Sequence, residues 1–144
     1  MDKVRQFLLS EIESVLNRRG LEYFIGGSVR FNFADPSSDI DIFVLIEDKY
    51  FIEELIDKLS GICSDIKETF NSNYEEISRQ QFTIHNMIHI NCIRSLQDFN
   101  GLRSEHDKIE SLIQKDHSLV ISTLAKELKK QGVKVYPILK KLLK

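Results

Sequence analysis

The stretch FIGGSVRFNFADPSSDIDIFVLIED, from Phe24 to Asp48, places a Gly-Gly-Ser turn ahead of two aspartates that flank one isoleucine. LEYFI, which ends at that turn, is short and apolar and predicts a buried strand over residues 21–25. DIDIFVLI is rich in β-branched and apolar residues and predicts a central strand over residues 39–46. Both glycines and both aspartates are therefore expected at strand ends.

The two aspartates of this stretch, Asp39 and Asp41, are one residue apart, so on a strand their side chains project from the same face. Two ionised carboxylates held close together repel each other, and a cation between them relieves the repulsion. Oxygen ligands on a rigid strand suit Mg²⁺, which takes one or two carboxylates and completes its shell with water and substrate phosphates. The spacing therefore predicts a metal site and a phosphate ligand.

The glycine turn supplies the complementary half of such a site. Gly26 and Gly27 let backbone amides approach an anion, and a short helix from Ser28 to about Pro36 would offer its unpaired amides. Ser28 adds a hydroxyl. Arg30, on the same short helix, is either a phosphate contact or a plain surface charge. The candidate phosphate-binding residues are thus Gly26, Gly27, Ser28 and Arg30.

The order strand, Gly-Gly-Ser, short helix, Ser38-Asp39-Ile40-Asp41, strand resembles the signature of the DNA polymerase β-like nucleotidyltransferase superfamily, in particular its small stand-alone members. The resemblance implies an α/β (α+β) fold with a mixed β-sheet and helices on one side. It also implies transfer of a nucleoside monophosphate from a nucleoside triphosphate (NTP) to an acceptor hydroxyl. The glycine-serine turn would hold the triphosphate, and Asp39 and Asp41 would hold two Mg²⁺ ions.

Active members of that family usually add a third carboxylate from a later strand, where it serves as a base or orients the hydroxyl. The strand MIHINCI is expected to carry it here. Its alternation buries every second residue from Ile88, which leaves His89 and Asn91 facing the aspartates. Asn91 therefore takes the place of the third acid, and its amide can coordinate through oxygen but cannot act as a base.

Three interpretations stay open at this point. The enzyme could work with two acids, with His89 or a water taking the proton. The third acid could instead be Asp65, Glu68 or Asp98. Finally, the site could bind a nucleotide or metal without transfer, as a catalytically weakened, antitoxin-like module for a protein partner. His89 as a plain surface histidine is the alternative to its site role.

The other elements follow from apolar spacing, cap residues and turn residues. They are a helix over 4–16 with Asp2 as N-cap and Gly20 as stop, a helix over 51–59 ending near Gly61, a strand in DIKETF, a loop in NSNYEEISRQ, a hairpin in QFTIHNMIHINCI turning near Asn86, helices capped by Ser104 and Asp116, and a short helix from Pro137.

Length and composition predict one domain over residues 1–144 in a cytoplasmic protein. No apolar run reaches membrane-spanning length and the first residues do not resemble a signal peptide, so we expect no membrane partner. Cys63 and Cys92 show neither metal-site nor redox spacing and are expected to be reduced thiols. The helical end from Lys126 has seven lysines and one glutamate. It predicts a solvated face or, alternatively, a nucleic-acid contact.

Overall fold

Strands and helices account for most of the residues that the computed structural model describes, which are 3–31, 39–69, 80–115 and 118–141. The helices are α1 (Lys3–Arg18), α2 (Gly27–Arg30), α3 (Lys49–Ser60), α4 (Leu96–Lys115), α5 (Ser118–Lys130) and α6 (Tyr136–Lys141). The strands are β1 (Tyr23–Gly26), β2 (Ile40–Leu45), β3 (Ile66–Thr69), β4 (Gln80–Ile84) and β5 (Ile88–Ile93). Within these ranges no helix combines the length and apolar character needed to cross a bilayer.

The five strands form one mixed sheet in the order β1-β2-β5-β4-β3. β2 and β5 are parallel, and the other three pairs are antiparallel. This confirms the predicted mixed sheet packed by helices, with β2 in its interior. The register sets Gly26 opposite Asp41 on one side of β2 and His89 opposite Asp41 on the other.

One face of the sheet packs against α1 and α3. The two helices and the sheet share a core in which the alternate β2 residues Ile40, Ile42 and Val44 are fully buried. The predicted parity of β5 is confirmed, because Ile88, Ile90 and Cys92 are buried on this same face.

The opposite face also carries helices, so the expectation of helices on one side is wrong. Phe43 and Ile93 are fully buried in a second core together with residues of α4, α5 and α6. The physical reason lies in β2, which is apolar on both faces beyond Asp41. A strand of that kind needs cover on both sides, as parallel strands in sheets usually do.

The hairpin between β4 and β5 turns where it was predicted. His85 and Asn86 both have positive φ angles, of 50° and 53°, which is the left-handed geometry of a tight hairpin turn. At the start of α3, the Asp48 carboxylate accepts from the Tyr50 amide at 2.9 Å and caps the helix. Gly20 follows α1 with a φ of 66°, as a helix stop requires.

The predicted start of α4 at Ser104 is wrong, because the helix begins eight residues earlier at Leu96. The hydroxyl of Ser95 accepts from the Asp98 amide at 3.3 Å, as an N-cap does. Phe99 and Leu102, which follow in the first turns, are buried. The expected caps Asp2 and Asp116, the helix end at Pro36 and most of the expected loop over 71–80 lie outside the described residues.

The lysine-rich end is packed into the second core along one of its faces. Val135, Tyr136 and Leu139 are buried there, while the lysines that the structure describes in α6 are exposed. Cys63 and Cys92 are both free and buried. Burial raises the pKa of the Cys92 thiol to about 12, which suits an unreactive core residue.

Candidate active site at the glycine turn

The two aspartates lie at the start of β2, and one histidine lies beside both of them. His89 stands opposite Asp41 on the neighbouring strand β5, and its Nε2 lies 3.0 Å from Oδ2 of Asp39. Asp39 is the more exposed of the two carboxylates, while Asp41 is partly buried. The structure therefore brings Asp39, Asp41 and His89 together at one end of the two neighbouring interior strands.

The Asp41 carboxyl resists ionisation. Burial is the main cause, and the nearby charge of Asp39 adds to it, so that the pKa of Asp41 rises to about 6. The His89 ring, a hydrogen bond from Asn91 and the charge of Lys129 act in the opposite direction and lower the pKa. Asp41 is enclosed beside a second carboxylate. A cation placed between the two would therefore stabilise their ionised forms.

Two threonines extend the contact between His89 and Asp39 across the sheet. Nδ1 of His89 lies 2.9 Å from Oγ1 of Thr83, and that oxygen lies 2.7 Å from Oγ1 of Thr69. Burial acts against the charged imidazole, but the hydrogen bond to Asp39 and the charges of Asp41 and Asp39 outweigh it and raise the pKa of His89. His89 is therefore held at both ring nitrogens and is not a plain surface residue.

The second glycine of the turn is required by its backbone and by its neighbour. Gly27 has a φ of 68°, a left-handed conformation that side chains rarely adopt. A Cβ at this position would lie 2.6 Å from Oδ2 of Asp41. The turn and the carboxylate are thus in direct contact, and no side chain fits between them.

The first glycine of the turn has a different neighbour. A Cβ on Gly26 would lie 2.6 Å from Nε2 of His106 and 2.6 Å from Cε2 of Phe43. His106 is fully buried in α4, and its ring stacks on those of Phe31 and Tyr136, with centroids 5.3 Å and 5.1 Å away. Gly26 therefore admits the close packing of α4 beneath the turn.

Burial lowers the pKa of His106 to about 4, although a hydrogen bond between Nδ1 and the Leu102 carbonyl opposes this, at 2.9 Å. Nδ1 donates that bond, because a carbonyl oxygen can only accept. The ring is consequently neutral near pH 7. His106 supports the turn from below as a packed aromatic ring rather than as a charge.

Arg30, one turn after the glycines, is engaged by α4. Its guanidinium forms ion pairs with Asp107 and with Glu110, the latter at 2.8 Å between Nε and Oε2. The Arg30 side chain is 15% exposed. Its predicted phosphate role stays a prediction, and what these contacts establish is a link between α2 and α4.

Asn91 lies on the aspartate face of the sheet and is fully buried. Its Nδ2 donates to the Ile42 carbonyl at 3.3 Å, and its side chain also hydrogen-bonds to Asp41. Glu68 lies on the opposite face, because it pairs with Phe82 of the first core. Asp98 is exposed at the start of α4.

Asp65 precedes β3 and lies 4.0 Å from Lys67. None of the positions and contacts described for Asp65, Glu68 and Asp98 joins these residues to Asp39 or Asp41. Ser28 belongs to α2, but its side chain lies outside what is described. Among the side chains that are described, no three of His, Cys, Asp or Glu group as a ready-made metal cluster.

Residues 2–93 match the nucleotidyltransferase domain family. The match spans more than half of the chain and contains the turn, both aspartates and β5. The chain belongs to the nucleotidyltransferase domain family. A comparison with curated proteins finds no match.

Solved nucleotidyltransferase structures share the fold. A cytoplasmic RNA terminal U-transferase matches with a TM-score of 0.56 and 16% identity, over 92% of this chain and 41% of that one. Terminal uridylyl transferase 4 from Trypanosoma brucei, with bound UTP and UpU, matches with a TM-score of 0.53 and 10% identity, over 90% and 44%. This chain therefore spans less than half the length of these neighbours, and the likeness shows the fold alone.

Sequence reasoning missed Thr83, Thr69 and His106. Thr83 was within reach, since a hairpin that turns at Asn86 pairs Thr83 with His89. His106 was not, because its position depends on how α4 crosses the sheet. The effect of the Lys129 charge on the pKa of Asp41 also depends on tertiary packing.

Proposed function

We propose that this protein is a metal-dependent nucleotidyltransferase that moves a nucleoside monophosphate from an NTP to an acceptor hydroxyl. The observation that carries the proposal is the direct contact between the left-handed Gly27 and the Asp41 carboxylate. It joins an anion-binding turn to a pair of carboxylates within one site. Membership of the nucleotidyltransferase domain family supports the same conclusion.

The donor set of this site fits a divalent cation. Asp39 and Asp41 offer hard oxygen ligands, and burial together with the charge of Asp39 raises the pKa of Asp41, so a cation beside the pair would stabilise its ionised form. Asp39 and Asp41 would hold Mg²⁺, which when bound lowers the pKa of an attacking hydroxyl and neutralises the leaving pyrophosphate. Coordination by phosphate oxygens and water would complete the shell that two carboxylates leave open.

The chain's own residues supply binding and orientation. The amides of the turn from Gly26 to Ser28 bind the triphosphate, because Gly27 places no Cβ on the side of the carboxylates. Asn91 hydrogen-bonds to Asp41 and fixes the direction of its carboxylate. Asn91 cannot take a proton, so the proton of the acceptor hydroxyl passes to water or to the His89 imidazole.

The residues of the site do not specify which molecule provides the acceptor hydroxyl. Neighbours of this fold include terminal uridylyl transferases. The lysines Lys126, Lys129 and Lys130 are exposed on α5, and the charge of Lys129 acts on Asp41. UTP as donor and an RNA oligonucleotide as acceptor are therefore the first pair to test, followed by small alcohols and protein hydroxyls.

The experiment is a transfer assay with each of the four NTPs, labelled at the α-phosphate, in the presence of Mg²⁺ and each acceptor class. Label transfer with release of pyrophosphate is expected, and it should disappear in Asp39→Asn and on addition of EDTA. Thr123→Val, a change on the exposed face of α5, is the matched control and should keep activity. Absence of label transfer to every acceptor would contradict the proposal.

A second candidate function is nucleotide or partner binding without transfer. Asn91 favours it, because the residue in the place of the third acid donates to the Ile42 carbonyl and has no charge. In that case the four NTPs would bind with Mg²⁺ but no label would move. Measuring NTP binding beside label transfer therefore separates the two functions.

A further inference from the structure

The hydrogen-bond chain from Asp39 through His89 and Thr83 to Thr69 has a direction that donor chemistry fixes. An ionised carboxylate has no proton to give, so Oδ2 of Asp39 accepts and Nε2 of His89 donates. When the imidazole is neutral, the proton on Nε2 is its only one. Nδ1 is then a bare acceptor.

The acceptor at Nδ1 decides the orientation of both threonines. Thr83 must give its hydroxyl proton to Nδ1 across the 2.9 Å contact, so its oxygen is free to accept. Thr69 then donates to Thr83 at 2.7 Å. The chain therefore runs from Thr69 to Thr83, from Thr83 to His89, and from His89 to Asp39.

We propose that Thr83 is the positioning residue of this site: its hydroxyl donates to Nδ1 and holds the neutral His89 ring in place, so that Nε2–H of His89 holds the Asp39 carboxylate beside Asp41. Thr83 is 6% exposed and lies directly opposite His89 in the β4–β5 ladder, so both side chains have fixed backbones. The catalytic meaning of this arrangement rests on the proposed function, but the tautomer does not.

This arrangement changes the role expected of His89. A ring that donates through Nε2 to Asp39 cannot take a proton at that nitrogen while the bond is made. Its other nitrogen is covered by Thr83. In the arrangement seen here His89 therefore orients a carboxylate, as ring partners of carboxylates often do, rather than acting as the base.

The proposal predicts an observable state of the wild-type protein. Of the four histidines in the chain, His89 is identified by loss of its signals in His89→Gln. A long-range ¹H–¹⁵N correlation spectrum is recorded on protein with ¹⁵N-labelled histidine, at alkaline pH where the ring is neutral. We expect Nε2 to be protonated and Nδ1 to be unprotonated. A ring protonated at Nδ1 would overturn the proposal without any assay of activity.

Variants then separate positioning from folding. Thr83→Val removes the hydroxyl at nearly constant volume, and we expect a shifted ¹⁵N signal for Nδ1, which loses its hydrogen-bond donor, and about a tenfold loss of transfer, the lower end of the effect of losing an orienting partner. Thr83→Ser restores the hydroxyl and should recover both. Thr123→Val should change neither. A wild-type His89 spectrum in Thr83→Val would overturn the proposal.

The two proposals fail in different ways. If the protein transfers no nucleotide while His89 shows the expected tautomer and responds to Thr83→Val, the proposed function is wrong and the positioning role stands. If transfer occurs but the His89 spectrum does not respond to Thr83→Val, the positioning role is wrong. If Thr83→Val does not fold, the wild-type tautomer and the effect of Thr69→Val on the ¹⁵N signal of Nδ1 still decide the question.

Discussion

Gly27 of the glycine turn lies directly against the Asp41 carboxylate. A Cβ on this glycine would lie 2.6 Å from Oδ2 of the aspartate. The contact follows from the register of β1 and β2, which sets Gly26 opposite Asp41. It also needs the left-handed backbone of Gly27. An anion bound by the turn, as proposed, would lie next to the carboxylates without an intervening side chain.

Gly27→Ala should lower both stability and nucleotide affinity. The left-handed backbone costs an alanine about 1–3 kcal/mol, and the methyl group meets the Asp41 carboxylate in addition. Gly101→Ala is the matched control, because that glycine lies in α4 with no atom near its would-be Cβ, and the change should add about 0.5–1 kcal/mol. Urea denaturation of both variants checks the pair, and equal effects would contradict the account.

Asp41→Asn should stabilise the free protein while it abolishes function. The substitution removes a carboxyl whose ionised form is opposed by burial and by Asp39, and whose pKa is raised to about 6. The free energy of unfolding near pH 7 should rise by on the order of 1–2 kcal/mol, since a tenfold change in an acid dissociation constant corresponds to about 1.4 kcal/mol. Thermal denaturation without nucleotide measures this, and a destabilised variant would refute it.

Stability should fall in acid because of His106. Its pKa is about 4 in the folded protein and about 6.5 when unfolded, so the unfolded state binds more protons between those values. The contribution of His106 is complete above about pH 6.5 and is lost as the pH falls toward 4, at no more than about 1.4 kcal/mol per pH unit.

The His106 contribution is measured as a difference, which removes the effects of other titrating groups. Urea denaturation from pH 7 to pH 5 is compared in the wild type and in His106→Gln, whose stability should depend less steeply on pH. His85→Asn, at the hairpin turn, is the control and should follow the wild type. Parallel curves for wild type and His106→Gln would exclude this role.

Arg30 and Glu110 should be energetically coupled through folding. In a double-mutant cycle with Arg30→Gln and Glu110→Gln, we expect a coupling of about 0.5–1 kcal/mol in unfolding free energy, since the guanidinium is largely covered. The Asp107 carboxylate is 61% exposed. A second cycle, of Arg30→Gln with Asp107→Asn, should therefore give a smaller coupling energy than the cycle with Glu110→Gln. Strictly additive effects with Glu110 would mean that the ion pair does not link α2 to α4.

Much of the sheet could be predicted because local rules govern it. The hairpin was predicted from the alternation around Asn86, and β2 from its β-branched run, and both are present. The start of α4 was mistaken because Gly101 and polar neighbours hide a helical pattern that Phe99 and Leu102 complete. Phe43 could have predicted that helices cover both faces of the sheet. If helices covered only the other face, its side chain would be exposed.

Part of the candidate site could likewise be predicted from the sequence, and part could not. Asp39, Asp41, Gly27 and His89 meet because of strand parity and motif spacing, which a sequence contains. The packing of His106 under Gly26 and the pairing of Arg30 with Glu110 depend on where α4 crosses the sheet. Those relationships join residues about 80 positions apart, and no local pattern determines them.

The central claim is that Asp39 and Asp41 bind a metal-bound nucleotide with the glycine turn. Isothermal titration calorimetry tests it most directly, with each of the four NTPs added to the wild type and to the Asp39→Asn, Asp41→Asn double variant, with and without Mg²⁺. The account predicts binding of at least one NTP that requires Mg²⁺ and is lost in the double variant. Failure of the wild type to bind any of the four, or equal binding by the double variant, would contradict it.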